Sequence, residues 1–353
     1  MPTRTRFAAA LLRATSSAYA AGAVERLLER DPALAERHAE GFTGLTADLQ
    51  ERIDQLAVAL HFGREQLFLD HVAWLKVATR CRGRDLSLVV GGLEALRDEV
   101  DDRLPADAKG AVVELIDHAL AYLPEAPAEL PSLLEEPSPH ALVTRRYMLA
   151  VLEGRRDDAI DEVLRAAESG VESDELYREV LVRAQAEIGR MWQCGEVHVG
   201  EEHFATRVAH EVLTRLRRRD AASCTRDRRI LLSTVSGDLH DLGARMLEQR
   251  FEAAGYQTIL LGASTPAIDL ARAALDFEAH MVAISAHLPD QVRAVEELVG
   301  LLKSEPELAD RPILVGGPPF EQVPDLWSQI GADAWAASPA EAVEVAERLF
   351  AAS

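Results

Sequence analysis

The chain has 353 residues, of which 48% are hydrophobic and 27% charged, and its formal net charge is −21. This length exceeds one ordinary hydrophobic core, so we expect two or three domains. The acidic balance excludes a nucleic-acid binder that relies on overall positive charge. The three cysteines stand far apart without a CxxC pair, which favours a reducing cytoplasm over a disulfide framework or zinc site. No apolar run reaches the roughly 18 residues of a membrane span, so no membrane partner is expected.

Residues 1–124 are predicted to form a helical N-terminal domain. Leu56, Leu60, Leu67 and Trp74 recur at helical spacing in this region. Residues 125–139 are rich in proline and glutamate, a composition typical of a linker, so a domain boundary is placed there.

Residues 140–219 are predicted to form a small antiparallel bundle of about four helices. Helix starts are expected near Pro139, Ser173 and Gly200. The bundle ends in an arginine-rich segment, which we interpret as a solvated helix end whose cations favour the helix C-terminus.

Residues 228–353 alternate short β-rich runs with helices of ordinary length. The expected strands lie at 229–236, 258–262, 281–285, 312–317 and 332–338. This alternation predicts a doubly wound parallel sheet, an α/β Rossmann-like (flavodoxin-like) domain that binds ligands at the carboxyl ends of its strands.

The loop after the first strand carries the pattern D-x-H-x-x-G, formed by Asp238, His240 and Gly243. An aspartate near a histidine can accept a hydrogen bond from one imidazole nitrogen and leave the other free as a metal donor. Gly243 is expected to let the next helix pack closely. Ser285, at the third strand end, is expected to hydrogen-bond Asp238, and Gly316 with Gly317 make room for a bulky ligand.

This combination on a parallel sheet behind a helical bundle resembles the cobalamin-binding module shared by methionine synthase, corrinoid proteins and certain photoreceptors. The resemblance implies that His240 is the lower axial cobalt ligand, that Asp238 and Ser285 tune it, and that Gly316 and Gly317 flank the nucleotide tail. One departure concerns His287, which stands where that family places a leucine.

The segment MWQCGEVHVGEEHF (191–204) contains Trp192 followed after nine residues by Glu202 and His203. This W-x9-E-H pattern resembles the cobalamin photoreceptors typified by bacterial carotenoid-synthesis repressors. The resemblance implies that these three residues line the pocket of the adenosyl group of adenosylcobalamin. In those repressors a histidine follows the tryptophan and captures cobalt after photolysis, but here the residue is Gln193. Either no bis-histidine state forms, or another residue such as His198 or His203 supplies the ligand.

No basic helix-turn-helix is present in residues 1–124, so we expect no nucleic-acid partner. A cobalamin sensor with a helical N-terminal domain resembles the photocobilins, which implies a bilin such as biliverdin in that domain. Candidate bilin contacts are His61, His71, Trp74 and Arg80. Cys81 offers a covalent attachment point, although a buried structural role is the stronger expectation.

The preferred hypothesis is therefore a light sensor without catalytic turnover, in which photolysis of adenosylcobalamin changes self-association or a contact with another protein. The alternative is a corrinoid protein that carries methyl groups between methyltransferases. A third interpretation is an interaction module that has lost its cofactor.

Overall fold

The computed structural model describes residues 2–37, 41–220 and 224–352. It divides into two compact units, of which unit 1 comprises residues 1–130 with Gln193–Gly195, and unit 2 comprises the remainder. None of the helices in the described ranges combines the length and hydropathy that a bilayer crossing requires.

Unit 1 is entirely helical, as its apolar periodicity predicted. Its helices are α1 Pro2–Ala14, α2 Ser16–Arg30, α3 Leu34–Arg37, α4 Gly41–Phe62, α5 Glu65–Cys81, α6 Ser87–Arg103 and α7 Ala106–Tyr122. The leucines that set the periodicity, including Leu56 and Leu67, are buried. Lys76 is also buried, and its ammonium group donates to the carbonyls of Leu123, Pro124 and Ala126, which satisfies the charge where α7 ends.

The first part of unit 2 is a helical bundle. Its helices are α8 Ala141–Leu152, α9 Arg156–Glu168, α10 Ser173–Leu176, α11 Arg183–Cys194 and α12 Val199–Arg219, and the last two residues of α11 are counted in unit 1. Between α10 and α11 the chain makes a π-helical segment, Tyr177–Val182. The bundle core contains the fully buried Tyr147, Ile160 and Leu216, and Met246 from the sheet domain packs into the same cluster.

The second part of unit 2 is the α/β domain. Its elements are β1 Arg229–Val235, α13 Leu242–Ala253, β2 Gln257–Thr265, α14 Ala267–Asp276, β3 Met281–Ser285, α15 Val292–Ser304, β4 Ile313–Gly316, α16 Pro318–Gln322, α17 Leu326–Gln329, β5 Ala334–Ala336 and α18 Pro339–Ala352. A 3₁₀ turn, Pro289–Gln291, precedes α15. All strand pairs are parallel, in the order β2-β1-β3-β4-β5. The predicted fold class is confirmed, and the carboxyl ends of β1 and β3 lie side by side with Thr234 opposite Ser285.

The bundle and the sheet domain are joined through α12 and α13. Gln249 on α13 donates to the carbonyl of Leu213 at 3.0 Å and also hydrogen-bonds the Tyr177 hydroxyl. His210 on α12 lies with Nε2 2.9 Å from a carboxylate oxygen of Asp241 at the start of α13. These polar contacts hold α12 against α13, the helix that follows the loop after β1.

Candidate functional site

The loop after β1 is organised by the fully buried side chain of Asp238. Its Oδ1 accepts a hydrogen bond from the main-chain N–H of His240 at 2.9 Å and lies 3.0 Å from His240 Nδ1. The carbonyl of Asp238 accepts from Thr234 Oγ1 at 2.7 Å and from Ser264 N at 2.9 Å. The loop is therefore held between β1 and β2, and His240 is held by its neighbour two residues earlier.

His240 is positioned to offer one nitrogen to a ligand. Its side chain is 51% exposed, and the hydrogen bond to Asp238 favours the tautomer with the proton on Nδ1, which leaves the Nε2 lone pair free. The bond to Asp238 raises the pKa of His240, and the charges of Asp238 and Glu202 raise it further. Partial burial acts in the opposite direction.

His287 stacks on His240 at the carboxyl end of β3. The ring centroids lie 4.3 Å apart with an interplanar angle of 21°. Desolvation lowers the pKa of His287, and the neighbouring His240 lowers it further. The main-chain N–H of His287 donates to Gln291 Oε1 at 2.7 Å, which fixes the start of this loop. His287, which stands where the cobalamin-binding family has a leucine, is thus a direct neighbour of His240, the candidate cobalt ligand.

The glycines at the sheet edge differ in how strictly they are needed. Gly317 has φ +112°, and a Cβ atom there would lie 1.9 Å from the Ala286 carbonyl oxygen. A Cβ at Gly316 would lie 3.3 Å from the carbonyl oxygen of Ala336. At Gly243 the nearest atom is Ser285 Oγ at 3.7 Å, an ordinary contact, so the close packing expected of Gly243 is not required by the protein atoms alone.

The expected hydrogen bond between Ser285 and Asp238 is not formed. Asp238 Oδ2 is buried and has no partner among the described residues. The prediction was wrong. The Oδ1 atom of Asp238 contacts both the main-chain nitrogen and Nδ1 of His240, and Ser285 Oγ lies near Gly243, the second residue of α13.

The W-x9-E-H residues lie where α11 ends and α12 begins. Trp192 is 38% exposed. Glu202 Oε2 lies 2.6 Å from His203 Nδ1, and Glu202 Oε1 accepts from Thr206 Oγ1 at 2.9 Å. The charge of Glu202, at the start of α12, contributes to the raised pKa of His240 in the loop after β1.

His198 has a structural role that the sequence analysis missed. Its Nδ1 accepts from the N–H groups of Gly200 and Glu201 at 3.1 and 3.3 Å, and Glu201 Oε2 accepts from the His198 N–H at 2.8 Å. This capping box starts α12. His198 is therefore engaged as a helix cap, which counts against it as a replacement cobalt ligand.

Gln193 is buried within unit 1, to which Gln193–Gly195 belong. Its side-chain Nε2 donates to the carbonyl of Trp74 at 3.1 Å, and Arg82 Nε donates to the Gln193 carbonyl at 3.0 Å. Gln193, which stands where the photoreceptors have a cobalt-capturing histidine, thus donates its side-chain amide to the main chain of α5.

Two exposed leucines near the site were not singled out from the sequence. Leu239 is 71% exposed although it lies between Asp238 and His240, and Leu288 is 42% exposed directly after His287. Apolar residues inside loops at the carboxyl edge of a parallel sheet are a signal that sequence inspection can use. Both leucines therefore add exposed apolar surface to the loops that carry His240 and His287. In the described ranges, no three His, Cys, Asp or Glu residues gather into a site that could hold a bare metal ion.

Comparison with known proteins identifies this architecture. The B12 binding domain family matches residues 228–346, and a second family of the same description matches residues 143–217. A corrinoid protein of Desulfitobacterium hafniense is 28% identical over 206 residues, which are 57% of this chain and 94% of that protein. Dimethylamine corrinoid protein 3 of Methanosarcina mazei is 30% identical over 123 residues, which are 35% of this chain and 72% of that protein.

A solved structure shows the same fold. The monomethylamine corrinoid protein of Methanosarcina barkeri superimposes with a TM-score of 0.52 at 19% identity, covering 59% of this chain and 98% of that one. Residues 143–346 hold both matched domains, and His240 lies in the loop after β1 of the domain at 228–346. The chain therefore belongs to the family of B12-binding proteins.

Proposed function

We propose that His240 is the protein ligand to the cobalt of a bound cobalamin. The observation that supports this is the Asp238–His240 pair, in which a fully buried carboxylate holds Nδ1 and directs Nε2 outward. The residues around it fit the group, because the leucines beside it are apolar and exposed and Gly317 leaves no side chain at the edge. Replacing His240 with alanine is expected to remove the imidazole signature from the spectrum of the loaded protein.

We further propose that the bound form is adenosylcobalamin and that the protein is a light sensor. When bound, adenosylcobalamin supplies a cobalt–carbon bond that visible light breaks. The half-exposed indole of Trp192 offers a flat apolar face to an adenine, and Glu202 offers an acceptor to ribose hydroxyls. An indole face that loses its packing partner is exposed to water, so we expect the bundle to repack and to change self-association or a protein contact.

A second candidate is a corrinoid methyl carrier, and the comparisons favour it over the light sensor. The relatives are named corrinoid proteins, and the B12 binding domain families match both domains of unit 2. The exposed Trp192 and His203, together with the partly buried Glu202, favour the sensor instead. Unit 1 also favours the sensor. The match to the Desulfitobacterium protein covers 206 residues, which are already 94% of that relative, so little of the relative is left to correspond to unit 1.

Illumination separates the two candidates. The purified protein is loaded in the dark with adenosylcobalamin or with methylcobalamin and then exposed to green light. Light breaks the cobalt–carbon bond of either cobalamin, so both spectra should change. The sensor proposal expects a change in sedimentation only in the adenosyl sample. Transfer of a methyl group from a methyl donor to the cobalt in the presence of a cognate methyltransferase, without any light-dependent change in assembly, would instead establish the carrier.

The bilin expectation concerns unit 1 and is kept as a proposal. His71 and Trp74 lie in one aromatic row on α5, with ring centroids 6.4 Å apart. Cys81 is exposed at the end of the same helix, contrary to the buried role expected of it, and Arg80 is exposed beside it. A red absorption band from protein produced with biliverdin would support a bilin in unit 1, and persistence of that band under denaturing conditions would place the attachment on a cysteine.

A further inference from the structure

Three polar side chains form a hydrogen-bonded relay between α11 and the start of α12. Gln185 Nε2 on α11 lies 3.0 Å from Thr206 Oγ1 on α12, and Thr206 Oγ1 lies 2.9 Å from Glu202 Oε1 one turn earlier. The other carboxylate oxygen of Glu202 lies 2.6 Å from His203 Nδ1. Both oxygens of Glu202 therefore have a protein partner, and the contact with Thr206 is the one that continues to a second helix.

The chemistry of the three groups fixes the direction of each hydrogen bond in the relay. When ionised, Glu202 can only accept, so the single hydroxyl proton of Thr206 goes to it. Thr206 then has only lone pairs left for Gln185, whose amide must present its NH2 group. Turning the amide over would place two acceptors against each other. The orientation of the Gln185 amide thus follows from the charge on Glu202.

This orientation leaves the other end of the Gln185 amide without a partner. Gln185 Oε1 is buried and accepts no hydrogen bond from any residue that the structure describes. A buried acceptor without a donor lowers the free energy of unfolding, and an apolar side chain of similar length would avoid that cost. The amide of Gln185 is therefore explained by its bond to Thr206 and not by the packing of the bundle.

Gln185 also lies on the face of α11 that carries Trp192. Seven residues separate them, close to two full turns, so their side chains leave the helix within about 20° of one another. Gly189 lies on this face between them, and a Cβ there would meet none of the described side chains of other elements within 4 Å. Trp192 and Glu202, both proposed to contact the adenosyl group, are on different helices. The bond between Gln185 and Thr206 joins those two helices.

We propose that Gln185 and Thr206 are positioning residues that orient the Glu202 carboxylate and thereby set the preference of the site for adenosylcobalamin over methylcobalamin. This inference rests on the proposed contact between Glu202 and the ribose hydroxyls. Thr206 restricts rotation of the carboxylate by its bond to Oε1, and Gln185 restricts rotation of the Thr206 hydroxyl. The remaining lone pairs of Glu202 then have fixed directions in which ribose hydroxyls can donate to them.

The test measures binding of adenosylcobalamin and methylcobalamin to the purified full chain by equilibrium dialysis in the dark. Wild type is expected to prefer adenosylcobalamin, and E202A is expected to remove that preference. T206V, which replaces the hydroxyl with a methyl group of similar size, should reduce the preference about 2- to 10-fold, and T206S should restore it. Thr214 on α12 is the matched control because its hydroxyl donates to the carbonyl of His210 on the same helix, so T214V should leave the preference unchanged.

Q185M separates positioning from packing. Methionine keeps the length of the side chain and removes the amide with its unpaired oxygen, so the unfolding temperature should equal or exceed that of wild type. The preference for adenosylcobalamin should nevertheless fall by about as much as in T206V. In an E202A background neither Q185M nor T206V should lower the preference further, since the carboxylate that they orient is absent.

E202A distinguishes failure of this inference from failure of the proposed function. If E202A lowers the preference but Q185M and T206V do not, the positioning role is overturned while the adenosyl contact stands. If wild type shows no preference, or E202A leaves it unchanged, the adenosyl contact is wrong and the positioning role is overturned with it. Equal loss of affinity for both cobalamins in Q185M, together with a lower unfolding temperature, would assign the relay a purely structural role.

Discussion

The imidazole rings of His240 and His287 stack with their centroids 4.3 Å apart, so the candidate cobalt ligand is held on its edge by Asp238 and on its face by a second histidine. The hydrogen bond fixes which nitrogen faces outward, and the stack restricts rotation of the ring. Both supports come from loops that adjacent parallel strands bring together.

We expect H287L to loosen the hold on His240 without abolishing it. A ring stack of this kind contributes about 0.5–1.5 kcal/mol, so cobalamin should dissociate roughly 2- to 10-fold more readily. H287F keeps a ring face and is expected to bind as wild type does. The readout is cobalamin retention together with the axial-nitrogen splitting in the electron paramagnetic resonance spectrum of the cobalt(II) form. Equal retention by H287L and H287F would show that stacking does not contribute.

The Asp238–His240 pair predicts a specific pH dependence of the ligand-free protein. Because Asp238 raises the pKa of His240 in the folded state, the pair contributes stability below the ordinary histidine value of about 6.5, and this is lost as pH rises through the raised pKa. D238N should lower the pKa of His240, measured by NMR titration of the imidazole, and should flatten this part of the stability profile. An unchanged titration of His240 in D238N would contradict the assignment.

His71 predicts a pH dependence of opposite sign. Its pKa of about 4 lies below the ordinary 6.5, so the unfolded chain takes up a proton before the folded protein does. The free energy of unfolding should therefore fall by roughly 3 kcal/mol as pH drops from about 6.5 towards 4. H71F removes the titrating group but keeps the aromatic row, and it should show a flatter profile in denaturant unfolding at the two pH values. A profile as steep as that of wild type would assign the acid sensitivity to other groups.

Gly317 is expected to tolerate no side chain. G317A combines an unfavourable φ of +112° with a Cβ placed 1.9 Å from the Ala286 carbonyl oxygen. We expect a loss of about 3 kcal/mol or more in the free energy of unfolding, together with loss of cobalamin binding. The matched control is G300A on α15, where a Cβ meets no atom within 4 Å. It should be neutral or should stabilise by up to about 1 kcal/mol, because alanine is the better helix former. Equal effects of the two changes would mean that the carbonyl moves at little cost.

The sequence predicted the elements with regular periodicity better than those set by tertiary contacts. The β-rich run at 281–285 gave the bounds of β3 without error, because a short apolar strand between polar loops is unambiguous. Helix α9, which starts at Arg156 after a turn at Gly154 with φ +71°, had no predicted start, and the π-helical segment Tyr177–Val182 has no simple sequence signal.

Within the site, the motif residues could be assigned to loops, but their partners could not. The stack of His287 on His240 depends on β1 and β3 being neighbours, which the strand order decides and local sequence does not. The cap role of His198 was hidden because histidine is an unusual N-cap, where serine, threonine or aspartate is expected.

Glu201 and Glu202, adjacent at the start of α12, provide a matched pair of variants that tests the proposed contact with the adenosyl group. Glu202 acts on His240 through its charge and is bonded by Thr206, whereas Glu201 only completes the cap with His198. E202Q should lower the pKa of His240 in the ligand-free protein and should weaken retention of adenosylcobalamin more than that of methylcobalamin, because an acceptor for ribose hydroxyls becomes a weaker one.

E201Q keeps a side-chain acceptor for the cap and lies one position away on the same helix, so neither quantity should change. The pKa is read by NMR titration, and retention by the absorbance that stays with the protein after gel filtration in the dark. If E202Q weakened retention of both cobalamins equally, Glu202 would not contact the adenosyl group. The proposal that the W-x9-E-H residues line the pocket of that group would then have to be given up.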